Sequence, residues 1–292
     1  MKILVTHINP HLDDIAAIWL FKKFYPEFKE AEIEFISQTK TGDIGKETTD
    51  RIFFGTGGGR FDEHSSPTDE HSSPTDEHSS PTDEHKGDIG ESAMSLVWKE
   101  IKNKDLAPED KFEAQALDEI VRWNTLYDTA KMPLGEFDEF SVESFIRSTR
   151  NSSKDSLKTV ELGCEILDRI LPVLVRKQHA LADWGKRIEF KTKWGKSVAL
   201  DSEAFHKTLA YRHGFQLVIQ KSPKTGFIGI TAPGLSDVDL SPVYKKLIKT
   251  EPEAGWYLHQ SKKMVLCGSS SSPDAKLSAL TTKQLIDIAK SI

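Results

Sequence analysis

The chain opens with a strand, a helix and a second strand, and this order leaves few folds open to it. Residues 1–6 form a short β-branched and apolar run, and residues 14–24 place apolar side chains at helical spacing. Residues 31–36 alternate as a second strand, and residues 51–54 indicate a third. A strand, a helix and a strand within about 36 residues are typical of a βαβ unit with parallel strands. The sequence therefore predicts an α/β domain whose parallel sheet carries helices on both faces.

In the rest of the chain, a run of predicted helices is followed by a run of predicted strands. Helical spacing predicts three further helices, at residues 91–102, 109–127 and 155–186. Pro172 predicts a kink or a break in the last of these. From residue 187 onward strands and turns alternate, with strands predicted at 209–220 and 227–231. This pattern indicates a second, smaller α+β domain.

Composition excludes several classes of protein. The 292 residues suffice for about two domains, and 37% hydrophobic with 29% charged residues is typical of a soluble globular protein. The net charge of −6 gives no global attraction for nucleic acid or anionic lipid, so a phosphate-bearing substrate needs a local site or a bound cation. Cys164 and Cys267 match no zinc spacing and indicate a reducing compartment. Because Met1 starts no signal-like run, we expect a cytoplasmic protein that binds no membrane.

A tandem repeat interrupts the first domain. The unit Asp-Glu-His-Ser-Ser-Pro-Thr begins at Asp62, Asp69 and Asp76, and a fourth Asp83-Glu84-His85 follows. Each unit contains a proline and no large apolar side chain, so we expect a surface loop over residues 62–85. Duplication of a short coding segment explains the repeat better than a solenoid, whose longer units need a hydrophobic face.

Three side chains after the first strand have the chemistry of metal ligands. His7, His11 and Asp13 lie in the loop where open α/β sheets place their ligands. Two imidazoles and a carboxylate form a mixed nitrogen and oxygen set suited to Mn²⁺, Fe²⁺, Co²⁺ or Zn²⁺. The alternative is that Asp13 and Asp14 only cap the following helix and that the histidines are surface residues.

A second cluster, Asp62-Glu63-His64, follows the third strand and its glycine-rich loop. Parallel strands end at the same edge of a sheet, so this cluster can face the first one. Two ligand groups at neighbouring strand ends are what a two-metal phosphoesterase site requires. A solvated acidic loop is the alternative.

These segments resemble a known family. Residues 5–13 (VTHINPHLD) resemble the first motif of the DHH phosphoesterase superfamily, and residues 57–64 (GGGRFDEH) resemble the segment leading into its Asp-His-His signature. The chain is most similar to the Myg-type (melanocyte proliferating gene) metal-dependent 3′ to 5′ RNA exonucleases, which share the histidine before the first-motif aspartate. Residues 126–128 resemble the fourth motif, and residues 255–260 with 267–270 resemble the C-terminal glycine-rich substrate segment.

The resemblance implies a divalent-metal-dependent phosphodiester hydrolase that acts as an exonuclease on RNA or short oligonucleotides, with one or two Mn²⁺ or similar cations per chain. It implies these metal ligands: His7, His11, Asp13, Asp62, His64 and Asp128. It implies these residues at the reacting phosphate: Asp62, Glu63 and His64. Alternatively, His64 acts as a general acid toward the leaving oxygen.

The same resemblance implies a substrate segment in the second domain that includes His259, Gly268, Ser269 and Ser270. The basic side chain of Lys262, next to this segment, completes the predicted set. Basic side chains and backbone amides there suit a phosphate, and a flexible serine-rich loop is the alternative. Arg147 and Arg150 add positive charge in the first domain. We expect a catalytic domain over residues 1–150, a linker helix over 151–186 and a substrate-binding domain over 187–292.

Two residues depart from the family pattern. Gly55 stands where the family has an aspartate two residues before its glycines, and Glu63 replaces the middle histidine of Asp-His-His. A carboxylate can replace an imidazole as a ligand. For the missing aspartate, either Asp14 or Asp43 compensates, or the site holds one metal, or activity is lost. Two rival hypotheses follow: a non-catalytic nucleotide or nucleic-acid-binding module with a degenerate metal site, and a repeat that serves as a metal-buffering or partner-binding loop. Within the enzyme hypothesis, we expect the first copy of the repeat to supply the site, with His85 of the last copy as the substitute for His64.

Overall fold

A computed structural model describes residues 1–37, 46–63, 89–133, 135–136, 138–152, 155–204 and 207–292. His64, Asp43, His85 and the repeat beyond Glu63 lie outside these residues. The chain divides into two compact units, Met1–Leu174 and Val175–Ile292.

A three-stranded parallel sheet forms the centre of the first unit. Its strands are β1 (Ile3–His7), β2 (Glu32–Ile36) and β3 (Arg51–Phe53), in the order β2-β1-β3. The helix α1 (Leu12–Phe24) joins β1 to β2, as a βαβ unit requires. The predicted α/β architecture is therefore confirmed, and β1 and β3 end at the same edge of the sheet.

Within the described part of the first unit, four more α-helices lie wholly or partly in this unit. They are α2 (Ala93–Asn103), α3 (Lys111–Asp128), α4 (Val142–Ser152) and α5 (Ser156–Trp184). Most of α1 is buried, and α2 and α3 pack against it. The α5 helix continues through Pro172 as one element, and the boundary between the units falls two residues later, after Leu174. Within the described ranges, no helix combines the length and apolar character of a membrane span.

The second unit contains a mixed six-stranded sheet and three helices, which confirms the predicted α+β domain. The strands follow the order β4-β5-β6-β7-β9-β8. Their bounds are Ile188–Thr192, Gly195–Asp201, Leu217–Lys221, Ile228–Thr231, Trp256–Leu258 and Met264–Cys267 for β4 to β9. The helices α6, α7 and α8 span Lys207–Arg212, Ser241–Thr250 and Thr282–Lys290.

One predicted strand in this unit is wrong in its first half. Residues 209–220 were expected as one strand, but α6 occupies the beginning of that run and β6 only its end. Gly214 ends the helix with a φ of 78°, and the Phe215 amide donates to the Ala210 carbonyl. This is the hydrogen-bond pattern of a helix closed by a left-handed glycine, a signal present in the sequence.

The helices α5 and α1 approach closely at Gly163. A Cβ atom at Gly163 would lie 2.5 Å from Cγ2 of Ile15 and 3.3 Å from Cδ1 of Ile146. Ile15 is buried and β-branched, so its side chain has little freedom to move away. The glycine therefore sets the spacing of the two helices.

We expect Gly163→Ala to lower the free energy of unfolding by about 1–3 kcal/mol, because overpacking outweighs the gain in helix propensity. Urea denaturation measures the change. Gly234→Ala is the control, since a Cβ there meets nothing within 4 Å. Equal stability of the two variants would contradict the close approach of α5 and α1.

Candidate metal centre

The first turn of α2 holds the carboxylate of Asp13. The Ala93 amide donates to Oδ2 at 2.7 Å, and the Met94 amide donates to Oδ1 at 3.2 Å. These amides lie at the helix N-terminus, where backbone donors have no intrahelical partner and the helix dipole favours negative charge. Asp13 is buried, so the two contacts fix the position of a carboxylate that lies away from bulk water.

His7, His11 and Asp14 form a first group of candidate ligands, with ligand atoms within 4.8 Å of one another. Nε2 of His7 lies 2.9 Å from Oδ2 of Asp14, and the His11 amide donates to the same oxygen at 2.8 Å. Nδ1 of His7 lies 2.9 Å from the Ile8 carbonyl. A proton on Nδ1 bonded to that carbonyl leaves the Nε2 lone pair for a cation, as is common for metal-binding histidines.

Either a proton or a cation can lie between Nε2 of His7 and Oδ2 of Asp14, which are 2.9 Å apart. Two ligands at about 2.1 Å from one octahedral ion and at right angles to each other are about 3 Å apart. In the metal-free protein, burial lowers the pKa of His7, but the hydrogen bond and charge of Asp14 outweigh burial and raise it. Asp14 therefore stabilises positive charge at this position.

Asp13, Glu63 and Asp128 form a second group, again with ligand atoms within 4.8 Å. Burial raises the pKa of Asp13 well above its usual value, and the charges of Asp128, Asp14 and Glu63 raise it further. Four carboxyl groups this close repel one another unless protons or cations lie between them. Oxygen-rich sets of this kind suit hard divalent cations such as Mn²⁺.

Both groups line one small cavity of ≈50 Å³. Its wall is made of both ligand groups together with Gly55. The two sets of donors lie side by side, and each could hold one divalent cation. We call these six residues the metal centre: His7, His11, Asp13, Asp14, Glu63 and Asp128.

The Asp14 carboxylate fills the space that a side chain at position 55 would need. A Cβ atom at Gly55 would lie only 1.9 Å from Oδ1 of Asp14, and the backbone of Gly55 has a φ of 58°. The carboxylate of Asp14 thus lies where a side chain at position 55 would begin. Of the two residues expected to compensate for the missing aspartate, Asp14 lies beside position 55, whereas Asp43 lies outside the described residues.

The sequence offered Asp14 only as a possible substitute for the missing aspartate and not as a member of the predicted ligand set. A carboxylate in the first turn of a helix is the usual pattern of a cap, and Asp14 does accept from the His11 amide as in a capping box. The available signal was Gly55, whose missing side chain leaves room for a neighbouring carboxylate.

Asp62 belongs to neither ligand group. Its Oδ2 accepts from the Gly58 amide at 2.8 Å, because the glycine-rich loop turns back and the Gly55 amide donates to the Phe61 carbonyl. The structure thus brings His7, His11, Asp13, Glu63 and Asp128 together but places Asp62 beside the loop. The predicted roles of His64 fall outside the described residues.

The predicted substrate residues of the second unit lie at opposite ends of β9. His259 and Lys262 lie in the turn before β9, where Nδ1 of His259 is 2.8 Å from Oγ of Ser261. Gly268, Ser269 and Ser270 follow the strand, about 13 Å away for four residues of β-structure. The structure does not bring the two parts of the segment into one cradle, and their role in substrate binding stays a prediction.

A larger cavity of ≈430 Å³ adjoins the metal centre, with which it shares His11, Asp13 and Asp128. The remaining wall comes from Leu12, from α3 and from residues 138–150, and it includes Asn124, Tyr127 and Glu143. None of these three was a predicted site residue, because an amide and a phenol on α3 and a carboxylate on α4 form no distinctive pattern along the sequence. The metal centre therefore has an adjacent open space that is large enough for a small molecule.

Comparisons with known proteins add little to this geometry. No protein-family model and no curated protein matches the chain. Among solved structures, it is similar to the pGpG-specific phosphodiesterase PggH of Vibrio cholerae, with 13% identity, a TM-score of 0.32 and coverage of 99% of each chain. It is also similar to the DHH domain of a protein described as a member of a family of ribosomal proteins, with 12% identity, a TM-score of 0.32 and coverage of 99% of this chain and 86% of the other. TM-scores this low do not establish a common fold.

We expect Gly55→Ala to destabilise the protein more than Gly214→Ala and to weaken Mn²⁺ binding. Both glycines have positive φ, so both variants carry a left-handed penalty of about 1–2 kcal/mol. Only the new Cβ atom at position 55 also displaces the Asp14 carboxylate, since a Cβ at Gly214 meets nothing within 4 Å. Urea denaturation and titration calorimetry with Mn²⁺ measure the two effects. Equal losses of stability with unchanged Mn²⁺ affinity would show that Asp14 does not depend on Gly55.

The raised pKa of Asp13 predicts a pH dependence for the metal-free protein. An unfolded aspartate titrates at pH ~3.9, whereas the folded protein retains the Asp13 proton to higher pH. The stability that this proton confers is complete below the unfolded pKa and is lost as pH rises through the folded pKa. In EDTA, Asp13→Asn should therefore gain stability relative to the wild type as pH rises. Parallel melting-temperature curves for the two proteins would contradict the raised pKa.

Proposed function

We propose that the chain is a divalent-metal-dependent phosphodiester hydrolase that removes nucleotides from the 3′ end of RNA or short oligonucleotides, with Mn²⁺ or a similar cation. The observation that carries this proposal is the shared cavity of the two ligand groups. Two adjacent sets of nitrogen and oxygen donors suit the two-cation chemistry by which many enzymes cleave phosphate esters.

Each ligand group would hold one cation. His7, His11 and Asp14 form the nitrogen-rich group, and Asp13, Glu63 and Asp128 form the oxygen-rich group. When bound, the cations supply Lewis-acid charge for the phosphoryl oxygens and make water a nucleophile near neutral pH. In the overall reaction, the oxygen of water bonds to phosphorus and the ester oxygen leaves with a proton.

The protein arranges these donors before any substrate arrives. The α2 amides orient Asp13, and the Ile8 carbonyl and Asp14 orient the two ring nitrogens of His7. Ligands fixed in this way need little reorganisation during the reaction, which is a major source of catalytic power in enzymes.

The charge of the larger cavity supports a need for cations. Its lining includes four carboxyl groups, on Asp13, Asp128, Asp138 and Glu143, against the two guanidinium groups of Arg147 and Arg150. A phosphodiester entering this space without a cation meets more negative than positive charge. Cation binding therefore precedes substrate binding in this proposal.

We expect the protein to hydrolyse 5′-phosphorylated dinucleotides and short RNAs with Mn²⁺ and to be inactive in EDTA. Asp13→Asn and Asp128→Asn should each lower kcat/KM by about 100-fold or more, because each removes a charged ligand. Asp105→Asn is the matched control, since this exposed aspartate lies beyond the far end of α2, about 15 Å along the helix from Ala93. Chromatography of the products measures turnover, and RNA blocked at its 3′ end tests the polarity.

Two results would contradict the proposal. One is full activity of Asp13→Asn and Asp128→Asn. The other is a wild-type protein that binds Mn²⁺ and nucleotides but cleaves no phosphodiester, which would favour the non-catalytic binding module.

A further inference from the structure

The larger cavity beside the metal centre has the size of a small-molecule site. Its volume of ≈430 Å³ lies within the ~300–1000 Å³ typical of ligand pockets. It shares three residues with the metal centre, so a molecule bound there lies next to the candidate ligands His11, Asp13 and Asp128. The remaining wall residues then determine which part of a substrate can bind next to the reacting phosphate.

Two arginines on one face of α4 suit a phosphate group. Arg147 and Arg150 are three residues apart, so they are neighbours on the helix surface, and both line the cavity. Nη2 of Arg147 lies 3.3 Å from Oγ of Ser144, which also lines the cavity. Planar guanidinium groups bind phosphate oxygens through paired hydrogen bonds.

A buried amide without a partner lies in the same wall. Asn124 is only 1% exposed, and its Oδ1 has no hydrogen-bond partner among the residues that the structure describes. Buried polar atoms nearly always have a partner, so an orphan at a cavity wall indicates a missing donor. An N–H of a nucleobase or an O–H of a ribose supplies such a donor.

An aromatic ring completes the wall. Tyr127 lines the cavity one residue before Asp128, and its ring makes an edge contact with Trp123 at a centroid distance of 5.4 Å. Aromatic side chains provide the stacking surfaces on which proteins bind bases of any sequence. Phosphate-binding, hydrogen-bonding and stacking groups thus occur together in one space.

We propose that this cavity binds one nucleotide unit of the substrate beside the metal centre. Arg147 and Arg150 bind the phosphate of that unit. Oδ1 of Asn124 accepts a hydrogen bond from its base or ribose, and Tyr127 contacts the base. This inference rests on the proposed function, since it assigns the residues that bind one unit of the substrate at the same site.

Titration calorimetry with Mn²⁺-loaded protein tests the subsite without any turnover. The probes are the four nucleoside 5′-monophosphates, ribose 5-phosphate and inorganic phosphate. We expect at least one nucleotide to bind about tenfold or more tightly than ribose 5-phosphate and inorganic phosphate, because only the nucleotide engages every wall. Equal affinities for all probes would overturn the nucleotide assignment and leave a phosphate site.

Variants separate the contributions of the walls. The double variant Arg147→Ala/Arg150→Ala should bind every probe about tenfold more weakly, whereas Arg122→Ala, an exposed arginine on α3, should bind them normally. Asn124→Leu should lose nucleotide affinity but keep its affinity for inorganic phosphate. Asn124→Ser provides a second test, and thermal unfolding checks that both are folded. Nucleotide affinities unchanged in the arginine and Asn124 variants would overturn the proposal.

The same measurements distinguish this inference from the proposed function. Selective nucleotide binding without hydrolysis would retain the subsite and refute the hydrolase. Hydrolysis of dinucleotides that is insensitive to the arginine and Asn124 variants would retain the hydrolase and refute the subsite.

Discussion

The contact between Asp13 and the first turn of α2 joins the parts of the first unit on which the candidate site depends. Asp13 belongs to the first turn of α1, so its bonds to the amides of Ala93 and Met94 fix the start of one helix against the start of another. Ser92, the N-cap of α2, lies within hydrogen-bond distance of Thr125 on α3. Three helices therefore meet around one buried carboxylate, and the ends of α1 and α3 bring their acidic side chains to it.

Much of the fold was predictable because hydrophobic periodicity and chain order determine it. A short buried strand followed by an amphipathic or buried helix leaves the parallel βαβ arrangement as the solution, and that arrangement places His7 and Phe53 at one edge of the sheet. The α6 helix escaped prediction because six residues are too few to show a period. Only its closing glycine, Gly214, distinguished helix from strand.

The candidate site was predictable in its location and in most of its members, but not in all of them. Strand ends identify where ligands gather, yet they do not say which side chains turn inward. Glu63 joins the ligand group while the adjacent Asp62 bonds to Gly58, a difference set by the fold of the glycine-rich loop. Asn124 could not be found from sequence, because the absence of a hydrogen-bond partner is a property of three-dimensional packing.

The shared space of Gly55 and Asp14 couples two positions that are far apart in sequence. An acidic side chain at 55 has no room while Asp14 keeps its rotamer, and a chain that loses the Asp14 carboxylate has no donor left at that point. An evolutionary path that moves the charge from one position to the other must therefore change both together or pass through an intermediate with a defective centre. A substitution at either position therefore has to be judged together with the residue that stands at the other.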